Sequence, residues 1–65
     1  MRNFGMRLKK LRENKGLTLA QLGEIADCHY FMLRDWEKGR MVLTIGILIK
    51  LSQYFEVSID YLVGL

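Results

Sequence analysis

The chain has no proline and one cysteine, Cys28, among its 65 residues. A lone cysteine cannot close an internal disulfide, and no Cys/His cluster offers the ligand set of a structural metal site. A chain this short must then stay folded by burying apolar side chains efficiently, and with 51% hydrophobic residues a compact all-α bundle is the economical solution. No apolar run is long enough to cross a bilayer, and the first residues lack the apolar stretch of a signal peptide, so a cytoplasmic protein is expected. There is no paired-carboxylate motif, no nucleophile spaced from a base and no glycine-rich phosphate loop. An enzyme is therefore not expected, nor is any cofactor or metal. Internal repeats, linkers and low-complexity segments are also missing, which points to a single domain over residues 1–65.

The charge is modestly one-sided, at +3. Six of the ten cationic side chains, Arg2, Arg7, Lys9, Lys10, Arg12 and Lys15, fall in the first segment. An amphipathic helix carries such residues on its wet side, a reading preferred here to a phosphate-binding stripe.

Phe4, Leu8 and Leu11, at helical spacing, predict a first helix from Phe4 to Lys15, capped by Asn3 and stopped by Gly16. Thr18 and Gln21 have capping-box spacing, with Leu17 and Leu22 as the staple around them. Leu22, Ile25 and Ala26 form the buried side of this second helix, where Gly23 permits close packing. Asp27-Cys28 is a corner. Beyond it His29 caps a third helix with Leu33 and Trp36 inward, Tyr30, Phe31 and Arg34 outward, and Met32 on the boundary. Two short helices joined at such a corner make a helix-turn-helix, whose second member is presented for recognition. Arg12 and Glu37 lie near the ends of the first and third helices, where an ion pair would serve as a structural clamp. Thr44 caps a fourth helix with Leu48, Leu51, Ser52 and Phe55 inward and a Leu43–Leu48 staple. Gly46 is out of place in its first turn, which favours an acid or a strong helix former. Ser58 caps a last short helix, stapled by Val57 and Leu62 and stopped by Gly64.

FGMRLKKLRENKGLT at the start, AQLGEIA in the second helix, WEKGR after the third and LIKLSQYFEVSIDYLVGL at the end together resemble the phage repressor and Cro-like helix-turn-helix domains of bacterial transcription regulators. The resemblance runs over essentially the whole chain. It implies a compact five-helix repressor-like bundle, a third helix that enters the DNA major groove, and a pair between Arg12 and Glu37.

The departures from that family are grouped. Where it commonly has a phosphate-binding Gln after the second cap, this chain has Leu19. The recognition helix, usually opened by Ser or Thr, opens with His29-Tyr30-Phe31-Met32. The following loop, usually basic and ending in Pro, is Met41-Val42-Leu43, with Gly46 beyond it. Phosphate contacts need donors and base-edge readout needs forked polar groups, which these residues do not supply. Exposed together, they would form an apolar patch on the order of 400–600 Å², large for a monomer.

The sequence alone therefore favours a repressor-like scaffold whose recognition surface has been replaced, as by engineering, to dock on another protein. Leu19, His29, Tyr30, Phe31, Met32, Arg34, Asp35, Met41, Val42 and Gly46 would form the interface, and DNA would bind weakly. The alternative is a sequence-specific DNA-binding regulator using His29, Tyr30, Arg34, Lys38 and Arg40. A homodimer through the same patch is a third arrangement.

Overall fold

The computed structural model describes residues 4–41 and 44–65. It contains α1 (Phe4–Asn14), α2 (Leu19–Ala26), α3 (Tyr30–Glu37), α4 (Ile45–Phe55) and α5 (Ile59–Leu62), with no strand among the described residues. This is the all-α, five-helix architecture expected from the sequence. The proposed cap Asn3, the staple residue Leu43 and the interface residue Val42 lie outside the described residues.

Side chains at the expected caps satisfy the free N–H groups that open four of the helices. Thr18 Oγ1 accepts from the Gln21 N–H at 3.1 Å while Gln21 Oε1 accepts from the Thr18 N–H at 2.9 Å, a complete capping box. Thr44 accepts from Ile47 and Ser58 from Tyr61. His29 caps α3 through Nδ1, which accepts from the Phe31 N–H at 3.4 Å, the same length as the Thr44 contact.

All five helices close with a left-handed residue: Gly16, Asp27, Gly39, Glu56 and Gly64, with φ between 56° and 84°. In each case the next N–H returns to the carbonyl five residues back, as in Leu17 to Arg12 at 3.1 Å, Cys28 to Gly23 at 2.9 Å and Val57 to Ser52 at 3.1 Å. Glycine adopts this conformation without penalty and Asp tolerates it through its short polar side chain. Glu has neither advantage. Glu56→Gly is therefore expected to stabilise the protein by about 0.5–1 kcal/mol, a rise of roughly 4 °C in melting temperature. A lower melting temperature would mean that the Glu56 side chain contributes more than its backbone costs.

Leu8, Leu22, Ala26, Leu33, Trp36, Leu48, Leu51, Phe55 and Leu62 form the core, and no polar or charged residue is buried among the described residues. Trp36 lies at its centre, with the Phe4 ring edge-on at 4.7 Å. α3 is held by α1 and α2, while α4 and α5 close the bundle from below α2 and α1. Two glycines set the close approaches. A Cβ on Gly5 would collide with the carbonyl oxygens of Trp36 and Glu37, so α1 crosses directly over the end of α3. A Cβ on Gly23 would sit 2.8 Å from the Cys28 carbonyl, confirming that this glycine lets the α2–α3 corner close tightly.

The expected clamp is present. Arg12 Nε and Nη2 donate to the two carboxylate oxygens of Glu37 at 2.7 and 3.1 Å, and Nη1 donates to the Leu17 carbonyl at 2.8 Å. One guanidinium thereby joins α1, the turn into α2 and the end of α3. Both side chains are largely withdrawn from water, at 13% and 6% exposure.

Candidate nucleic-acid interface

The outward face of α3 is defined by what its inward face does. Leu33 and Trp36 are fully buried, so helical periodicity puts Phe31 and Lys38 on the opposite side, flanked by Arg34 and Asp35, with Tyr30 at the edge. Tyr30 and Phe31 are 42% and 44% exposed. The His29 ring lies 4.2 Å from Phe31 and 4.9 Å from Tyr30 between centroids, both tilted, so the first turn of α3 carries a packed aromatic cluster.

The charges are arranged asymmetrically. Arg34, Lys38 and Arg40 are exposed. Of the two carboxylates on α3, Glu37 is taken up by Arg12, and Asp35 lies 3.4 Å from the Nε of its neighbour Arg34. The surface around the end of α3 therefore presents three cations against one carboxylate, Asp35, which is paired with the first of them, Arg34.

The apolar surface expected from the sequence is smaller in the structure. Leu19 and Met32 are half-buried and pack against the core, and Met41 is half-buried too. Gly46 is exposed, with open space where a Cβ would stand. Of the large apolar residues in the expected patch, Tyr30 and Phe31 alone are exposed among those described. Met32 stands beside Leu33 at the boundary of the inward face, where a side chain can cover part of the core without facing it directly. Cys28 is half-buried against the core, and burial pushes its thiol pKa up, toward the unreactive protonated form.

Several contacts were not read from the sequence. Arg7 stacks 4.7 Å from the Tyr61 ring centroid and donates to the Tyr61 carbonyl at 2.8 Å, tying α1 to α5. Lys50 Nζ lies 3.2 Å from Asp27 Oδ2, and Lys15 sits 5.5 Å from the Tyr54 ring. Ile45 and Ile49 are exposed on α4, at 63% and 42%. Their spacing of four, offset from Leu48, Leu51 and Phe55, was the available signal for that outward placement.

The fold and its outward α3 define a helix-turn-helix module of the repressor-like type. The chain belongs to the helix-turn-helix family, whose sequence model matches residues 8–62. It is 31% identical over 58 residues to an uncharacterized HTH-type transcriptional regulator of Rickettsia prowazekii (strain Madrid E), covering 89% of this chain and 45% of that protein. It is also 31% identical over 58 residues to an uncharacterized HTH-type transcriptional regulator of Rickettsia conorii (strain ATCC VR-613 / Malish 7), covering 89% of this chain and 46% of the relative. The chain thus spans just under half the length of these curated relatives. Among solved structures, a chain of the SinR protein/SinI protein complex superposes with a TM-score of 0.80 at 32% identity, over 91% of this chain and 58% of that one.

These relatives are named as regulators, not enzymes. They favour the DNA-binding regulator that the sequence reading placed second, and the engineered protein-docking surface it placed first is not supported. No helix of the described residues is long and apolar enough to cross a membrane.

Proposed function

We propose that residues 1–65 act as one DNA-binding domain of a transcriptional regulator in the cytoplasm, with α3 seated in the major groove of duplex DNA. The observation that carries this reading is the charge asymmetry at the end of α3. Arg12 withdraws Glu37 from the surface, leaving Arg34, Lys38 and Arg40 exposed beside a helix whose apolar side is fully committed to the core. A helix presented in this way places its first turn against base edges and its flanking cations against phosphates. His29 and Tyr30 stand at that first turn. The names of the Rickettsia relatives support the same role.

The test is a titration with pooled duplex DNA across a range of salt concentrations. If Lys38 and Arg40 each neutralise a phosphate, Lys38→Ala/Arg40→Ala should weaken binding to all sequences and flatten the log–log salt slope by about 1.8. A Lys9→Ala/Lys10→Ala control on α1 should leave the slope unchanged. A slope that changes with the α1 pair and not with the α3 pair would place the DNA on the wrong side of the molecule for this reading.

A protein partner is the second reading. It rests on Tyr30 and Phe31 being exposed together and on the similar fold having been solved in a complex of two proteins. Sedimentation at increasing concentration would reveal the homodimer form of it.

A further inference from the structure

The first turn of α3 is unusual in what it could offer to a base edge. Forked polar side chains read bases through paired hydrogen bonds, and apolar ones read the thymine C5-methyl group. In Tyr30–Glu37 there is no Asn, Gln, Ser or Thr. Its one forked donor, Arg34, lies beside Asp35, with Nε 3.4 Å from Oδ1. The imidazole of His29 is already engaged through Nδ1 with the Phe31 N–H. What stands at the centre of the outward face, in the turn nearest the bases, is the Phe31 ring.

That ring is exposed, yet it is held. His29 packs against it at 4.2 Å and Tyr30 lies at 6.3 Å. A phenyl ring fixed in this way has less side-chain entropy to lose on entering a groove. Lys38 and Arg40 supply attraction to phosphates, which carries no base discrimination.

We infer that Phe31 is the specificity-determining residue of α3 and that it selects thymine by apolar contact with its C5-methyl group, so the preferred sites are those that present thymine methyls to the first turn of α3. This rests on the DNA-binding role proposed above and adds the chemical class of site. Tyr30 lies beside the ring at the edge of the same turn, and its hydroxyl is available to a neighbouring acceptor.

The test begins with the intact 65-residue chain and duplexes selected from a randomised pool. The tightest binders are then remade with deoxyuridine for thymidine, which removes only the methyl. Each methyl that packs on Phe31 should be worth about fourfold in affinity, the equivalent of one buried carbon. The wild-type protein should lose that factor on uracil substitution under α3 and recover it when 5-methylcytosine·guanine pairs restore a methyl at the same place. Phe31→Ala should bind the thymine duplex more weakly and no longer distinguish thymine from uracil. Because Phe31 is 44% exposed, its melting temperature should stay close to that of the parent. Should that variant fail to fold, the uracil comparison on the wild-type protein decides alone. Equal affinity of the wild-type protein for thymine and uracil duplexes would overturn the inference while leaving DNA binding in place. Methyl discrimination that survives Phe31→Ala would also overturn it. Binding to no member of the pool would overturn the DNA-binding role, and the inference with it.

Discussion

Glu37→Ala should lower the unfolding free energy by about 2 kcal/mol, between the cost of breaking an exposed ion pair and that of breaking a fully buried one. The reason is not the strength of the pair itself but what its loss leaves behind. Arg12 keeps its charge, because a guanidinium stays protonated far above neutral pH even without the Glu37 hydrogen bond that raises its pKa further. Without Glu37 the guanidinium remains in a position only 13% exposed, with the Leu17 carbonyl as its remaining acceptor. For so small a domain about 2 kcal/mol is a large part of total stability, a fall of about 8 °C or more in melting temperature. Replacing both partners with apolar residues, Arg12→Met/Glu37→Leu, should restore most of the loss, since no uncompensated charge then remains. The pH dependence has a definite sign. The raised Arg12 pKa contributes stability that is fully present below the unfolded-state value and disappears only as the pH rises through the folded one, far above neutrality. A Glu37→Ala protein as stable as its parent in urea melts would show that the pair does not tie α1 to α3.

Gly5→Ala is expected to cost about 2–3 kcal/mol, although Ala is the better helix former by about 1 kcal/mol. The added methyl would fall on the backbone oxygens of Trp36 and Glu37, and these cannot swing aside as a side chain can. α1 would have to lift from α3, drawing Phe4 away from Trp36 and Arg12 away from Glu37. The same substitution at Gly46 should have the opposite sign. Beyond its own helix, no described atom lies within 4 Å of its would-be Cβ, so Gly46→Ala should recover helix propensity, up to about 1 kcal/mol. The pair is measured together in urea at constant m-value: the midpoint should fall for Gly5→Ala and rise for Gly46→Ala. Two shifts of the same sign would mean that propensity, or strain common to both helices, outweighs the helix crossing.

The contrast between these glycines shows where the sequence was informative. Caps and stops are local chemistry, so Thr18 with Gln21, Thr44, Ser58, Gly16 and Gly64 could all be placed from spacing. The inward pattern of Leu8, Leu22, Leu33, Trp36, Leu48, Leu51 and Phe55 was equally legible, and so was the Arg12–Glu37 clamp, which the helix ends bring together. Gly5 went unread because nothing in a linear sequence tells a glycine that allows a helix crossing from one that merely interrupts a helix. Glu56 and Asp27 carry no glycine signal for the left-handed turns they make. The functional surface was read least well. Within Tyr30-Phe31-Met32 the boundary position expected for Met32 is the observed one, half-buried against the core, while Tyr30 and Phe31 are exposed. With Leu19 also half-buried, the apolar patch that suggested a protein partner contracts, among the described residues, to two aromatic rings beside Arg34, Lys38 and Arg40.

Whether those cations and those rings meet DNA is the central claim, and fluorescence anisotropy with a labelled duplex, titrated at 50 and 200 mM salt, tests it most directly. With Lys38 and Arg40 at the phosphates and Arg34 paired to Asp35, affinity should fall by about 12-fold between the two salts, and Lys38→Ala/Arg40→Ala should remove that dependence. Binding that is absent at 50 mM salt, or that is tight and indifferent to salt and to both substitutions, would contradict the account.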